Sequence, residues 1–221
     1  MKTTETIKSI EFFNELNEDQ IELLSSIANM QSYPKKSILN YESDETTNIL
    51  FLITGLIKIY KVDKFNNEIF LYHIHEKNMI SELSSLRSNT IYCFSNSEFI
   101  EDSIVLSINF KRFNELFLSQ NILTMKFMEE ILDKSHQLQG IVNRELVFDA
   151  TAKVAFMLNN DLEMFNKLKR QEVSFMLHIQ PETLSRVLKR LKRNNIIDIV
   201  SSKVIILDNN QLSSTFTGIG L

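Results

Sequence analysis

At 221 residues, with 43% hydrophobic and 24% charged side chains, the chain can bury one large or two small cores and has an ordinary globular composition. Its one cysteine, Cys93, excludes an intrachain disulfide and any cysteine-held zinc or iron–sulfur centre, and no apolar run approaches the roughly 20 residues that cross a bilayer. Net charge is −4, yet the stretch Lys167 to Arg193 carries eight Lys/Arg against Glu172 and Glu182, so it is +6 and the remainder −10; such a basic block points to a polyanionic partner.

The first residues, MKTTETIKSIEFF, lack a signal peptide's apolar core, so a cytoplasmic protein without membrane contact is expected. Residues 5–30 read as short helices, with Asn17 placed to cap one and Ile21, Leu23, Leu24 and Ile27 at helical spacing behind it. Tyr33-Pro34-Lys35-Lys36 reads as a turn. Strands are then expected over 37–41, 48–54, 56–62, 69–74, 91–94 and 99–108, with 63–67 as a hairpin loop. Strands so short and close, with no helix between them, suggest an antiparallel barrel or jelly roll.

Residues 111–117 read as a short helix and 120–147 as a long one. In the latter Met125, Met128, Leu132, Ser135, Gln139, Val142 and Leu146 alternate three- and four-residue steps, and Phe127, Ile131, Leu138 and Ile141 form a neighbouring stripe. One stripe can pack on the roll while the other makes a two-stranded coiled-coil seam, hence a homodimer; one wide buried face on a monomer is the alternative. Ser135 and Gln139 would weaken the seam where a switchable dimer could be tuned. Asp149 can cap a following helix over 150–158.

In the basic block, Val173, Met176 and Leu177 give a short amphipathic helix, and His178-Ile179-Gln180 leaves room only for a turn. Pro181 suits a first helical turn, and Leu184, Val187, Leu188 and Leu191 follow as an inward stripe. Glu182, Ser185, Arg186 and Lys189 fall on the other side, which describes a helix-turn-helix and its recognition helix. Arg suits guanine O6 and N7, and a carboxylate can accept from cytosine N4, so Arg186 and Glu182, one turn apart, can read adjacent base pairs. Lys169, Arg170, Lys189, Arg190, Lys192 and Arg193 are expected on phosphates. Residues 196–200 and 203–207 flank Ser201-Ser202 as the wing of a winged helix.

Glu182-Thr183-Leu184-Ser185-Arg186 resembles the recognition helix of the fumarate-nitrate branch of the Crp/Fnr superfamily of bacterial regulators, which reads Glu-x-x-Ser-Arg here. Most such turns carry Gly where this chain has His178. Phe148-Asp149-Ala150-Thr151-Ala152-Lys153-Val154-Ala155 resembles that family's hinge, and residues 48–60 resemble the strand-Gly-strand signature of its cyclic-nucleotide-binding β-roll. The resemblance implies an α+β chain: an N-terminal double-stranded β-roll (a cyclic-nucleotide-binding-like jelly roll) over 1–118, a long dimerisation helix over 119–148, and a winged helix-turn-helix over 149–221. It further implies a homodimer on palindromic double-stranded DNA with TGA-like half-sites, Glu182, Thr183, Ser185 and Arg186 at the bases with Ser185 on a thymine, and RNA polymerase as a partner.

Ile80-Ser81-Glu82-Leu83 resembles the start of the roll's phosphate cassette, and Arg87-Ser88 the pair that holds a cyclic phosphate. Ser81 replaces a glycine, Glu82 and Arg87 stand only five residues apart, and Leu138-Gln139 takes the place of the Thr-Ser pair offered to the base. Glu82, Arg87, Ser88, Leu138 and Gln139 are thus the candidate effector pocket, with a signal other than cyclic AMP expected, nitrosative or redox by family habit. His73 and His75, on one face of a strand and its exit, are the residues a haem would use, or else surface histidines. Cys93 reads as a small buried hydrophobe rather than a redox switch. No metal cluster and no Ser/His/Asp or glycine-rich phosphate constellation appears, so an enzyme is not expected. The competing reading is a haem- or small-molecule-binding sensor whose C-terminal part acts through protein contacts.

Overall fold

A computed structural model describes residues 3–82, 85–86 and 88–217, and the chain divides into two units, residues 1–136 and 137–221. The first opens with α1 (Thr3–Lys8), a 3₁₀ turn (Glu11–Phe13) and α2 (Glu18–Ser26). Asn17 starts α2 with a reciprocal capping box: its Oδ1 accepts from Gln20 N, and its own N–H donates to Gln20 Oε1, both at 2.9 Å. Helix then ends earlier than the sequence suggests, because Ala28–Tyr33 is a strand, β1. Its ANMQSY run has little strand propensity, and pairing supplies what the side chains do not.

Eight strands follow: β2 (Ile38–Asn40), β3 (Glu45–Thr46), β4 (Asn48–Thr54), β5 (Ile57–Val62), β6 (Glu68–Ile74), β7 (Ile91–Tyr92), β8 (Asn96–Phe99) and β9 (Ser103–Asn109). They form an antiparallel three-stranded sheet, β1-β9-β4, a four-stranded sheet, β2-β8-β5-β6, and the short pair β3-β7. The single strand expected over 99–108 is two strands in two sheets. The chain turns between them where Asp102 Oδ1 accepts the Lys35 N–H at 2.8 Å, tying the corner down.

β4 explains why the roll has two cores. Its ILFLI run is buried on both faces: Ile49, Phe51 and Ile53 join a cluster with Ile7, Phe13 and Phe113, while Leu50 and Leu52 join Ile57, Ile59 and Phe99 between the sheets. Gly55 makes the following turn at φ +102°, and a Cβ there would lie 2.1 Å from Ser103 Oγ, so no other residue fits.

α3 (Phe110–Leu116) is capped by Asn109, and α4 (Thr124–Val142) is the long helix. It is shorter than the 120–147 expected. Asn121 and Leu123 take left-handed φ before it, and after it Asn143–Val147 widens into a π-turn closed by Phe148 N donating to Asn143 O at 2.8 Å.

The second unit contains α5 (Ala150–Asn160), α6 (Leu162–Lys167), α7 (Arg170–Met176), α8 (Pro181–Arg193), β10 (Ile197–Val200), β11 (Lys203–Ile206) and α9 (Asn209–Thr217). Asp149 caps α5 through Ala152 N at 2.8 Å. α6 and α9 were not legible in the sequence. The chain is therefore α+β, a β-roll with helices and a winged helix-turn-helix. Among the described residues no helix is long and apolar enough to cross a membrane.

Candidate nucleic-acid interface

α7, a turn at 177–180 and α8 make the helix-turn-helix. Leu184, Val187, Leu188 and Leu191 are all buried, and burial stabilises by about 1.5–3 kcal/mol for each such side chain. Exposed charges contribute no more than about 1 kcal/mol each even when paired. Docking of α8 therefore rests on its apolar stripe, and the opposite face is left to make contacts elsewhere.

That face holds Glu182, Ser185, Arg186 and Lys189, all exposed, with Thr183 half-buried beside them. No side chain caps the helix start at Gln180. Among the described residues no hydrogen bond or ion pair engages the side chains of Glu182, Ser185 or Arg186. A guanidinium and a carboxylate one turn apart, exposed and uncommitted, are equipped to meet base edges.

The six cations expected on phosphates divide into two groups. Lys169, Lys189, Arg190 and Arg193 are exposed with no side-chain partner among the described residues. Lys192 pairs with Asp198 of β10 at 2.6 Å. Arg170 is engaged more deeply: its guanidinium lies 4.6 Å over the Phe165 ring, and Nη2 donates to Ser202 O at 2.9 Å, with burial lowering its pKa. It ties α7 to the wing. Asn166 does the same for β11, accepting from Val204 N at 2.7 Å and donating to Val204 O at 2.9 Å. These braces were not legible in the sequence, since Asn166 and its partner stand 38 residues apart.

The turn has a feature of its own. His178 sits at φ +52° where glycine would be at ease, a conformation that costs a residue with a Cβ about 1–2 kcal/mol.

In the roll, Glu82 and Ser88 of the candidate effector residues are engaged by neighbouring groups of the roll itself. Glu82 accepts from Tyr72 Oη at 2.8 Å and from Phe94 N at 3.1 Å. Ser81 Oγ accepts from Leu50 N at 2.9 Å, and Ser88 Oγ accepts from Thr90 N at 3.0 Å. Burial, with the Glu82 charge beside it, pushes the Tyr72 phenol far up, so it stays a donor. The cavity lined by Asn40, Ile59, Glu82, Cys93 and Ser97 measures about 20 Å³. One water fits such a volume; a nucleotide or a haem does not. Arg87 lies outside the described residues. Leu138 and Gln139 are exposed on α4, in the second unit.

His73 is half-buried, its ring 4.8 Å from that of Phe70, and His75 is exposed 6.4 Å from His73. Cys93 is buried, and burial with Asp44 and Glu82 nearby pushes its thiol up to about 11. It is not a thiolate at neutral pH.

Met125, Met128, Leu132, Ser135, Gln139 and Val142 are exposed on α4 and Leu146 on the π-turn after it, with Met125 66%, Leu132 57% and Leu146 81% open to solvent. Of the neighbouring stripe, Phe127 is buried.

Residues 155–215 match the Crp-like helix-turn-helix domain. The cAMP-activated global transcriptional regulator CRP of Pasteurella multocida is 22% identical over 201 residues, covering 84% of this chain and 93% of the relative. The anaerobic regulatory protein of Bacillus subtilis is 23% identical over 203 residues, covering 87% and 85%. A CooA mutant from Carboxydothermus hydrogenoformans has a similar fold, with a TM-score of 0.68 at 17% identity over 89% of this chain and 90% of that one.

Proposed function

We propose that the chain is a DNA-binding transcription regulator of the Crp/Fnr type that reads a palindromic operator as a homodimer, under a signal other than cyclic AMP. The observation that carries this reading is the pairing of two unsatisfied surfaces: the uncommitted Glu182, Ser185 and Arg186 face of α8, and the exposed apolar stripe of α4. An exposed stripe at coiled-coil spacing suits a second copy of itself. Two recognition helices set about 34 Å apart would then meet successive turns of one face of DNA.

Arg186 and Glu182 carry base readout, with Thr183 and Ser185 beside them. Lys169, Lys189, Arg190 and Arg193 carry phosphate contacts, and Lys192 and Arg170 contribute less because the wing already engages them. RNA polymerase is the partner such a regulator would meet at a promoter. Cyclic AMP is disfavoured because Glu82 is taken by Tyr72 and Phe94 and the cavity beside Glu82, among the described residues, has room for no more than a water. A nitrosative or redox signal would have to act away from the Cys93 thiol.

The test is a titration of labelled duplexes with purified protein, using a palindrome with TGA-containing half-sites and a scrambled duplex of equal length. Preference for the palindrome, two chains per duplex and indifference to cyclic AMP support the reading. Equal binding to both duplexes, or none, would leave the C-terminal unit as a surface for protein contacts.

A further inference from the structure

The bend between α7 and α8 is held by a residue outside the reading face. Glu145 lies in the π-turn Asn143–Val147 that ends α4. Its Oε2 is 2.9 Å from His178 Nδ1 and 3.6 Å from Lys153 Nζ, and its Oε1 accepts from Arg144 Nε at 2.7 Å. Lys153 is itself buried. Burial raises the Glu145 pKa, but the hydrogen bonds and charges of His178 and Arg144 outweigh it and leave the group below its ordinary value. At neutral pH a carboxylate therefore faces three basic side chains, from the π-turn, from α5 and from the turn of the helix-turn-helix.

Glycine would make the bend at position 178 without strain. Histidine makes it at φ +52° and adds a ring long enough to reach Glu145. The turn's backbone is otherwise local, with His178 N donating to Phe175 O and Ile179 N to Ser174 O. Among the described residues, the Glu145 bond is the one hydrogen bond from the His178 side chain, and it crosses 33 positions of sequence to the end of α4.

We propose that Glu145 and His178 form a latch that fixes the helix-turn-helix turn against the end of the long helix, making Glu145 a positioning residue for DNA reading. The part concerning DNA rests on the function proposed above. Pro181 begins the recognition helix three residues after His178, so a shift at the end of α4 reaches Glu182 and Arg186 through this carboxylate. π-Turns recur at functional places in helices, and here the π-turn carries the latch residue.

His178→Gly separates bend-making from pairing, because glycine suits the left-handed φ and the Arg144 and Lys153 contacts to Glu145 stay in place. We expect this variant to keep its melting temperature and to bind the palindrome about five- to twentyfold more weakly. Glu145→Gln should weaken binding by a similar factor, and the double variant should be no weaker than the worse single, since both remove one interaction. In the free protein, amide exchange at Ile179 and His178 should speed up in each variant. Wild-type affinity and wild-type exchange in His178→Gly, or single effects that multiply in the double, would overturn the latch. If the wild type fails to prefer the palindrome, the DNA reading falls, and the exchange rates alone still decide: faster exchange upholds the latch and unchanged exchange refutes it.

Discussion

Arg186 and Glu182 are exposed, one helical turn apart, and engaged by no other side chain among the described residues, whereas Arg170, in the same basic block, is stacked and hydrogen-bonded. Composition alone treats these residues alike; position separates them. Arg186→Ala should cost about 1–3 kcal/mol on the palindrome and little on scrambled DNA. A uniform loss on both in a gel-shift series would make Arg186 a phosphate contact. Lys189→Ala should instead weaken both duplexes and lower the slope of log K against log salt by about 1. Glu145 allows a pH prediction. Its pKa is lowered in the folded chain, so its contribution is present above the unfolded carboxylate value of about 4.3 and is lost as pH falls through the folded one. Melting temperatures of wild type and Glu145→Gln should therefore differ at pH 7 and converge as pH falls through the lowered folded-state value; a gap that stays constant into acid would refute the assignment. His178 was legible as a departure from glycine, but its partner was not, because nothing local in the sequence links positions 33 residues apart.

At the scale of elements, legibility followed the strength of periodicity. The bounds of β4 and the Pro181 start and inward stripe of α8 are legible, since a continuous apolar run and a strict three/four spacing each fit one structure. β1 was missed because its polar ANMQSY run becomes a strand only through pairing with β9. α6 and α9 were missed because each is short and its burial is supplied by tertiary packing. The α4 seam was read from spacing, and the structure leaves that stripe exposed. If the stripe joins two chains, Leu132→Glu should shift sedimentation toward monomer and reduce operator affinity together. Gln139→Leu should tighten association by removing a polar residue from the seam. Unchanged sedimentation in both variants would place the dimer contact elsewhere.

For the molecule as a whole, the roll has a double-sheet architecture, and the space beside Glu82 is small among the described residues. Glu82, which the resemblance assigns to a ligand, is bonded to Tyr72 and Phe94 N, and the space beside it is about 20 Å³, the size of one water. The shortened cassette is legible in the sequence, but the hydroxyl of Tyr72 donating to the Glu82 carboxylate is not, since the two lie on separate segments of the roll. What remains open is a charged face on α8 and an apolar stripe along α4, the two surfaces on which the proposed reading of DNA by a pair of chains rests. The most direct measurement is the stoichiometry and preference of binding: anisotropy titrations of the palindromic and scrambled duplexes, without cyclic AMP, across a range of salt. The expected result is two chains per palindrome, a preference of about 10³-fold or more, and affinity falling steeply with salt. One chain per duplex, or equal affinity for the two sequences, would contradict it.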